Sequence, residues 1–170
     1  MINKVLNKNN LRALYGGLIA TFITGAGIFL LGNLSGYKAK VLLDGSMPSL
    51  TMMCNTTALA SATIMALLLT LLGISAGSKN KFNENHYQQI LLISRWNAAV
   101  FIASIIAFQF FNIPITETKE VEYDWWKWIY WASLAISAVL GGAIISIILL
   151  LYNTIKNMIK VVGIRPSEEN

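Results

Sequence analysis

The chain has 170 residues, of which 55% are hydrophobic and 12% charged, and its net charge is +5; an average soluble domain carries about 25% charged residues. That shortage argues against an ordinary water-soluble domain. The lysines are dispersed over tails and loops rather than gathered on one face, which argues against a nucleic-acid surface, and with one cysteine (Cys54) and one histidine (His86) there is no intrachain disulfide, CxxC pair or bis-histidine haem site.

Charged residues fall between four apolar segments of about 18–25 residues, the length that spans a hydrocarbon core of roughly 30 Å as a helix. The expected fold is therefore an all-α integral membrane protein, a single membrane domain over residues 1–170 with four transmembrane helices in a compact bundle and a C-terminal amphipathic extension.

The first span is expected over roughly 14–31, after Lys4, Lys8 and Arg12. Its apolar run exceeds the 7–15 residues of a signal-peptide core and no clean A-x-A site follows, so it reads as a retained helix. The second span is expected over 50–74. Its start is placed in "DGSMPSL", with Asp44 or Ser46 as cap and Pro48 in the first turn, and Gly77 suits its C-terminal end. A third span, 90–113, is closed by Pro114.

The fourth, 128–152, follows the aromatic stretch "DWWKWIYW". Over 153–163 the pattern becomes two-sided: Leu151, Ile155, Met158, Ile159 and Val162 share one side, and Asn153, Lys156, Asn157 and Lys160 the other. An extension lying at the membrane surface is expected there.

Orientation follows from the Lys and Arg of the short loops. With both termini cytoplasmic, the inner side holds Lys4, Lys8, Arg12, Lys79, Lys81, Arg95, Lys156, Lys160 and Arg165 against Lys38, Lys40, Lys119 and Lys127 outside. Glu117, Glu120, Glu122 and Asp124 then lie outside, with Trp125, Trp126, Trp128 and Trp131 forming the outer aromatic belt. Small size and this asymmetry point to a bacterial inner membrane, and the layout itself is no family signature.

Small residues recur at four-residue spacing in every span: Ala13, Gly17, Thr21 and Gly25; Cys54, Ala58, Ala62 and Ala66; Ala99, Ala103 and Ala107; Ala138, Gly142 and Ser146. Along such rows helix backbones approach closely, and van der Waals packing drives association in lipid. Gly17, Gly25, Ala58, Ala62, Ala66, Ala99, Ala103, Ala107, Ala138 and Gly142 are the expected packing residues. Because other faces also carry small residues, self-association is the next expectation.

A second group is polar: Asn55 and Thr63 in the second span, Arg95, Asn97 and Gln109 in the third. An amide in hydrocarbon seeks an interhelical partner, and Gln109 and Asn112 are expected at the depth of Asn55. Arg95 lies about 7–8 Å into its span. Two readings of it stay open, an anchor whose guanidinium snorkels to lipid phosphates beside Trp96, or a buried contact on the row Arg95, Ala99, Ala103 and Ala107.

Chemistry is sparse. No nucleophile lies beside a base, since His86 and Cys54 are separated by most of the expected bilayer, and no metal or cofactor site is expected. The expected function is non-enzymatic: a small membrane protein acting through helix packing, as a homo-oligomer or beside another integral membrane protein, with membrane lipid as its surroundings. The alternative is an oligomeric channel-like or small-solute permeation protein.

Overall fold

A computed structural model describes residues 8–29, 36–77, 84–113 and 123–163. These form four helices and no strand among the described residues: α1 (Lys8–Phe29), α2 (Gly36–Gly77), α3 (Glu84–Phe111) and α4 (Tyr123–Gly163). Three of the four, α2, α3 and α4, are long and apolar enough to cross a membrane; the apolar stretch of α1 is the shorter Ala13–Ala26. Pro114, Glu117, Glu120, Glu122, Lys79 and Lys81, on which parts of the sequence reading rest, lie outside the described residues.

Helix α4 is the hub. It packs on α1, α2 and α3, and α2 packs on α3. Contacts fix the directions. Ser61 meets Asn97 and Ser75 meets His86, so α2 and α3 are antiparallel; Met53 meets Ser137 while Leu43 clusters with Trp126 and Tyr130, so α2 and α4 are parallel. Gly16 lies against Leu149 and Gly142 against Thr21, so α1 runs antiparallel to α4. We call the end holding Gly77 and Glu84 the near end, and that holding Gly36, Phe111 and Tyr123 the far end.

The buried positions explain why α2, α3 and α4 stay together over their length. In α3 they are Ile90, Ile93, Asn97, Val100, Ser104, Ala107 and Phe111, alternating steps of three and four. In α2 the same alternation runs through Leu50, Cys54, Thr57, Ser61, Ile64 and Leu68. In α4 it runs through Trp126, Tyr130 and Ser133, and again through Ile147, Leu151, Thr154 and Met158. A 3.5-residue repeat keeps one seam facing its neighbours when helices coil left-handedly around one another.

Several boundaries differ from expectation. Helix α2 starts at Gly36 rather than near residue 50, so Asp44 and Ser46 are not caps and Pro48 lies inside the helix. Ser46 Oγ instead donates to the Leu43 carbonyl at 3.1 Å. A proline in a helix interior costs about 3 kcal/mol, whereas burying a large apolar side chain contributes about 1.5–3 kcal/mol. With Leu43 fully buried and Trp126 nearly so, packing at the far end offsets the proline. Lys40 Nζ completes that cluster 5.0 Å from the centre of the Trp126 ring.

The amphipathic extension is likewise not a separate surface element. Helix α4 is continuous to Gly163, Thr154 and Met158 are buried, and Ile155 packs on the main core. A helix continuous with α4 and packed on the bundle does not lie flat beside it. Helix α3 begins at Glu84, earlier than 90, and after Phe111 the chain tightens, with Asn112 N bonding the Phe108 carbonyl and Ile113 N that of Phe110.

The exterior is apolar: Phe22 is 77% exposed, Met52 71% and Ile106 62%, among many other large hydrophobic side chains along the helices. Patches of this extent are foreign to the surface of a water-soluble monomer.

Candidate functional site

The four-residue rows meet two different fates. Between α1 and α4 they are contacts: a Cβ on Gly17 would collide with Ser146 Oγ and lie 2.6 Å from the Gly142 carbonyl oxygen. A Cβ on Gly142 would collide with Thr21 Oγ1 and lie 2.8 Å from the Gly17 carbonyl oxygen. The backbones are thus in van der Waals contact at one crossing, which two glycines permit. Thr21 and Ser146 donate to the Gly17 and Gly142 carbonyls of their own helices, at 2.9 and 3.0 Å, so their hydroxyls add no polar demand. Ala13 and Ala138 are buried beside this crossing, whereas a Cβ on Gly25 would meet nothing within 4 Å.

On α2 and α3 the rows turn away. Ala58 is half-buried, but Ala62, Ala66, Ala99 and Ala103 are exposed, and only Cys54 and Ala107 reach the core. Four residues turn a helix by about 40° more than a full circle, so a four-residue row leaves a straight seam within two or three steps. The seam itself alternates threes and fours.

Asn97 is the one member of the expected polar group that the bundle encloses. It is fully buried, and its Nδ2 donates to the Ser61 carbonyl at 2.7 Å. Asn97 Oδ1 and Ser61 Oγ, buried with it, have no hydrogen-bond partner among the described residues. An amide at a single core position of a heptad fixes register at a cost in stability, and here it ties α2 to α3 at one level. Ser61 was missing from the expected group; the three-and-four alternation that carries it inward with Cys54 and Thr57 is the signal for it.

The other four are apart. Asn55 and Thr63 are exposed on α2, Arg95 and Gln109 on α3. Asn55 and Gln109 do not meet, and Asn112 donates to Phe108 of its own helix at 3.0 Å. Arg95 has no acidic partner among the described residues and is not enclosed between helices. Of its two readings, the exposed one matches its position.

The outward face of α2 has its own order. Met52, Asn55, Leu59, Ala62, Ala66, Leu69 and Gly73 are all exposed and follow one another by threes and fours, the same repeat as the buried seam on the other side of the helix. Beside them Thr56, Thr63 and Thr70 donate to the carbonyls of Met52, Leu59 and Ala66 at 2.8, 2.9 and 3.0 Å. Their donors are spent, so what they present outward is acceptor oxygen.

At the near end, His86 Nε2 lies 3.1 Å from Ser75 Oγ, and the Tyr87 hydroxyl donates to the Ser75 carbonyl at 3.2 Å. His86 precedes the apolar part of α3, and burial pushes its pKa down. Cys54 is 21 residues from Ser75 along α2, about 31 Å away, so His86 and the thiol cannot act together. No three His, Cys, Asp or Glu side chains group as metal ligands among the described residues.

Hollows open on the bundle among the described residues. One, of about 270 Å³, lies between α1 and α3 on the flank of α4, lined by Leu14, Leu18, Trp96, Val100, Gly142 and Ser146 among others. Another, of about 350 Å³, lies where α3 ends beside Pro48, with Asp44, Thr51 and Asn112 on its walls. Set against family models, curated proteins and solved structures, the chain matches none.

Proposed function

We propose that this is a non-enzymatic integral membrane protein that works through helix packing and assembles with further copies of itself through the outward face of α2. Membrane insertion is supported by three helices of sufficient length and apolarity and by the large apolar side chains on the exterior. The fourth span of the proposal is α1, pinned to α4 by the glycine crossing. By sequence position, nine of the thirteen Lys and Arg fall on the side of the two termini, which favours cytoplasmic termini in a bacterial inner membrane.

The observation that carries the assembly reading is the second heptad stripe on α2. The stripe combines an exposed amide, Asn55, with the small residues Ala62, Ala66 and Gly73, set between Met52, Leu59 and Leu69, and none of them is buried by another helix. A second α2 placed along the stripe uses that repeat: the small residues allow close approach, and in a two-fold parallel pair Asn55 faces its own copy, each amide donating to the other.

Native mass spectrometry of the protein extracted in mild detergent tests this. A closed homo-oligomer that falls to monomer in Asn55→Ala together with Ala62→Leu is expected. A complex with a different protein, and no homo-oligomer, would replace the proposal by an accessory-subunit role.

A second reading rests on Thr56, Thr63 and Thr70. In a ring of α2 helices these acceptor oxygens and Asn55 would line a central path suited to cations or hydrogen-bond donors. Liposome flux that changes in Asn55→Ala at unchanged subunit number would favour it; flux absent in the wild-type protein would remove it.

A further inference from the structure

We infer that the far-end hollow between α2 and the end of α3 binds a hard monovalent cation of the sodium class, held by Asp44, Thr51 and Asn112 and by a backbone carbonyl that Pro48 sets free. Asp44, Pro48 and Thr51 of α2 line it with Asn112 and Ile113, which follow α3, around a volume of about 350 Å³, and its walls carry no Lys, Arg or His. Pro48 lies inside α2. It has no N–H, so the Asp44 carbonyl one turn earlier loses its helical donor. The same residue adds a carboxylate, exposed and in no ion pair among the described residues. Lys40, one turn before Asp44, is drawn instead to the Trp126 ring, 5.0 Å away.

The remaining walls add oxygens. Thr56, Thr63 and Thr70 donate to carbonyls of their own helix, whereas half-buried Thr51 makes no such bond among the described residues, so its hydroxyl turns freely toward the hollow. Asn112 Nδ2 donates to the Phe108 carbonyl at 3.0 Å, which leaves Oδ1 as the acceptor. Helix α3 ends at Phe111, and its last carbonyls bring the negative end of the helix dipole to the same place. Charge then sets which ion. One carboxylate among neutral oxygens balances one positive charge, whereas calcium sites depend on a higher ligand charge and zinc on His or Cys. Carbonyls freed where a helix is interrupted, together with helix C-terminal ends, are the ligands sodium takes in membrane proteins. All these groups belong to one copy and none lies in the α2 stripe, so the site requires neither assembly nor a bilayer.

Equilibrium binding of radioactive sodium reads the site. The purified full chain is captured on scintillation beads in mild detergent, with choline chloride holding the ionic strength constant. Saturable sodium binding is expected, displaced by unlabelled sodium at a lower concentration than by calcium. Asp44→Asn abolishes it, and Thr51→Val and Pro48→Ala each weaken it about tenfold, the worth of one contact to a charged group. Because Pro48→Ala restores a helix hydrogen bond, its loss of binding is not a loss of folding. Glu84→Gln, which removes a carboxylate at the near end, leaves binding unchanged, and so does Asn55→Ala with Ala62→Leu, which separates the site from self-association. No saturable binding in the wild type, equal losses in Asp44→Asn and Glu84→Gln, or displacement by calcium at a lower concentration than by sodium would each overturn the inference. Full binding in Pro48→Ala would overturn it as well.

Discussion

At the scale of single residues, Asn97 and Asn55 carry the same amide into opposite surroundings. Asn97 is enclosed and bonded to the Ser61 carbonyl, so Asn97→Ala removes a buried hydrogen bond and leaves a small void. Denaturant unfolding in detergent micelles is expected to show a loss of about 1–2 kcal/mol. Asn55 is exposed on α2, and Asn55→Ala is expected to change the stability of the monomer by less than about 0.5 kcal/mol while weakening the oligomer. An equal effect of the two substitutions on the monomer would contradict their assignment to core and surface.

His86 gives a pH dependence. Its folded-state pKa lies below the usual 6.5 because burial disfavours the imidazolium, so the folded form binds the proton less readily than the unfolded one. The stability it contributes is complete above about pH 6.5 and is lost as pH falls through the lowered folded-state value. Hydrogen exchange at the near ends of α2 and α3 is expected to quicken below pH 6.5. In His86→Gln that acceleration disappears.

At the scale of elements, the glycine crossing and the proline make opposite predictions. Gly142→Leu puts a side chain where Thr21 Oγ1 and the Gly17 carbonyl stand, and rigid backbone on one side leaves it no room. A loss of about 2–4 kcal/mol is expected, with α1 released to protease while α2 to α4 stay protected. Gly25→Leu, where a Cβ meets nothing within 4 Å, is the control and is expected to cost less than about 0.5 kcal/mol. Pro48 is exposed inside α2, so Pro48→Ala restores an N–H for the Asp44 carbonyl and is expected to stabilise the protein by about 1 kcal/mol. A destabilised variant would mean that the break in the ladder shapes the far end.

The helices themselves were legible in the apolar runs, and so were Gly17 and Gly142, because a row of small residues at one crossing needs only two or three members on each helix. The seams of α2 and α3 were not. Ala62, Ala66, Ala99 and Ala103 are small and evenly spaced, but even four-residue spacing winds off the face, while Cys54, Thr57, Ser61 and Asn97 hold it by alternating three and four. Polar residues occupy several of those inward positions, so hydropathy alone hid the repeat. The start of α2 and the continuity of α4 escaped for another reason: Pro48 and the charged stripe after Tyr152 are local stop and surface signals. Burial of Leu43 against Trp126, and of Thr154 and Met158 within the bundle, outweighs them.

For the whole molecule, length and exterior are the governing facts. Helices α2 and α4, of 42 and 41 residues, are each about 60 Å long, twice the roughly 30 Å of a hydrocarbon core. Trp125, Trp128 and Trp131 are exposed toward the far end of α4, and Lys156 toward its near end. Helix α4 packs on every other helix, and α2 turns outward the stripe that carries Asn55. In the proposed assembly it is this α2 face, and not the exterior of α3, that meets a second copy.

Disulfide cross-linking in native membranes tests that claim most directly. In a Cys54→Ala background, single cysteines are placed in turn at Asn55, Ala62 and Leu69 on the α2 stripe and at Ile102 and Ile106 on the exposed side of α3. The account predicts oxidative dimers from the three stripe positions, whose Cα atoms approach their copies closely enough for a bridge, within about 7 Å, and none from the two on α3. Cross-linking that is equal on both faces, or confined to α3, would contradict it.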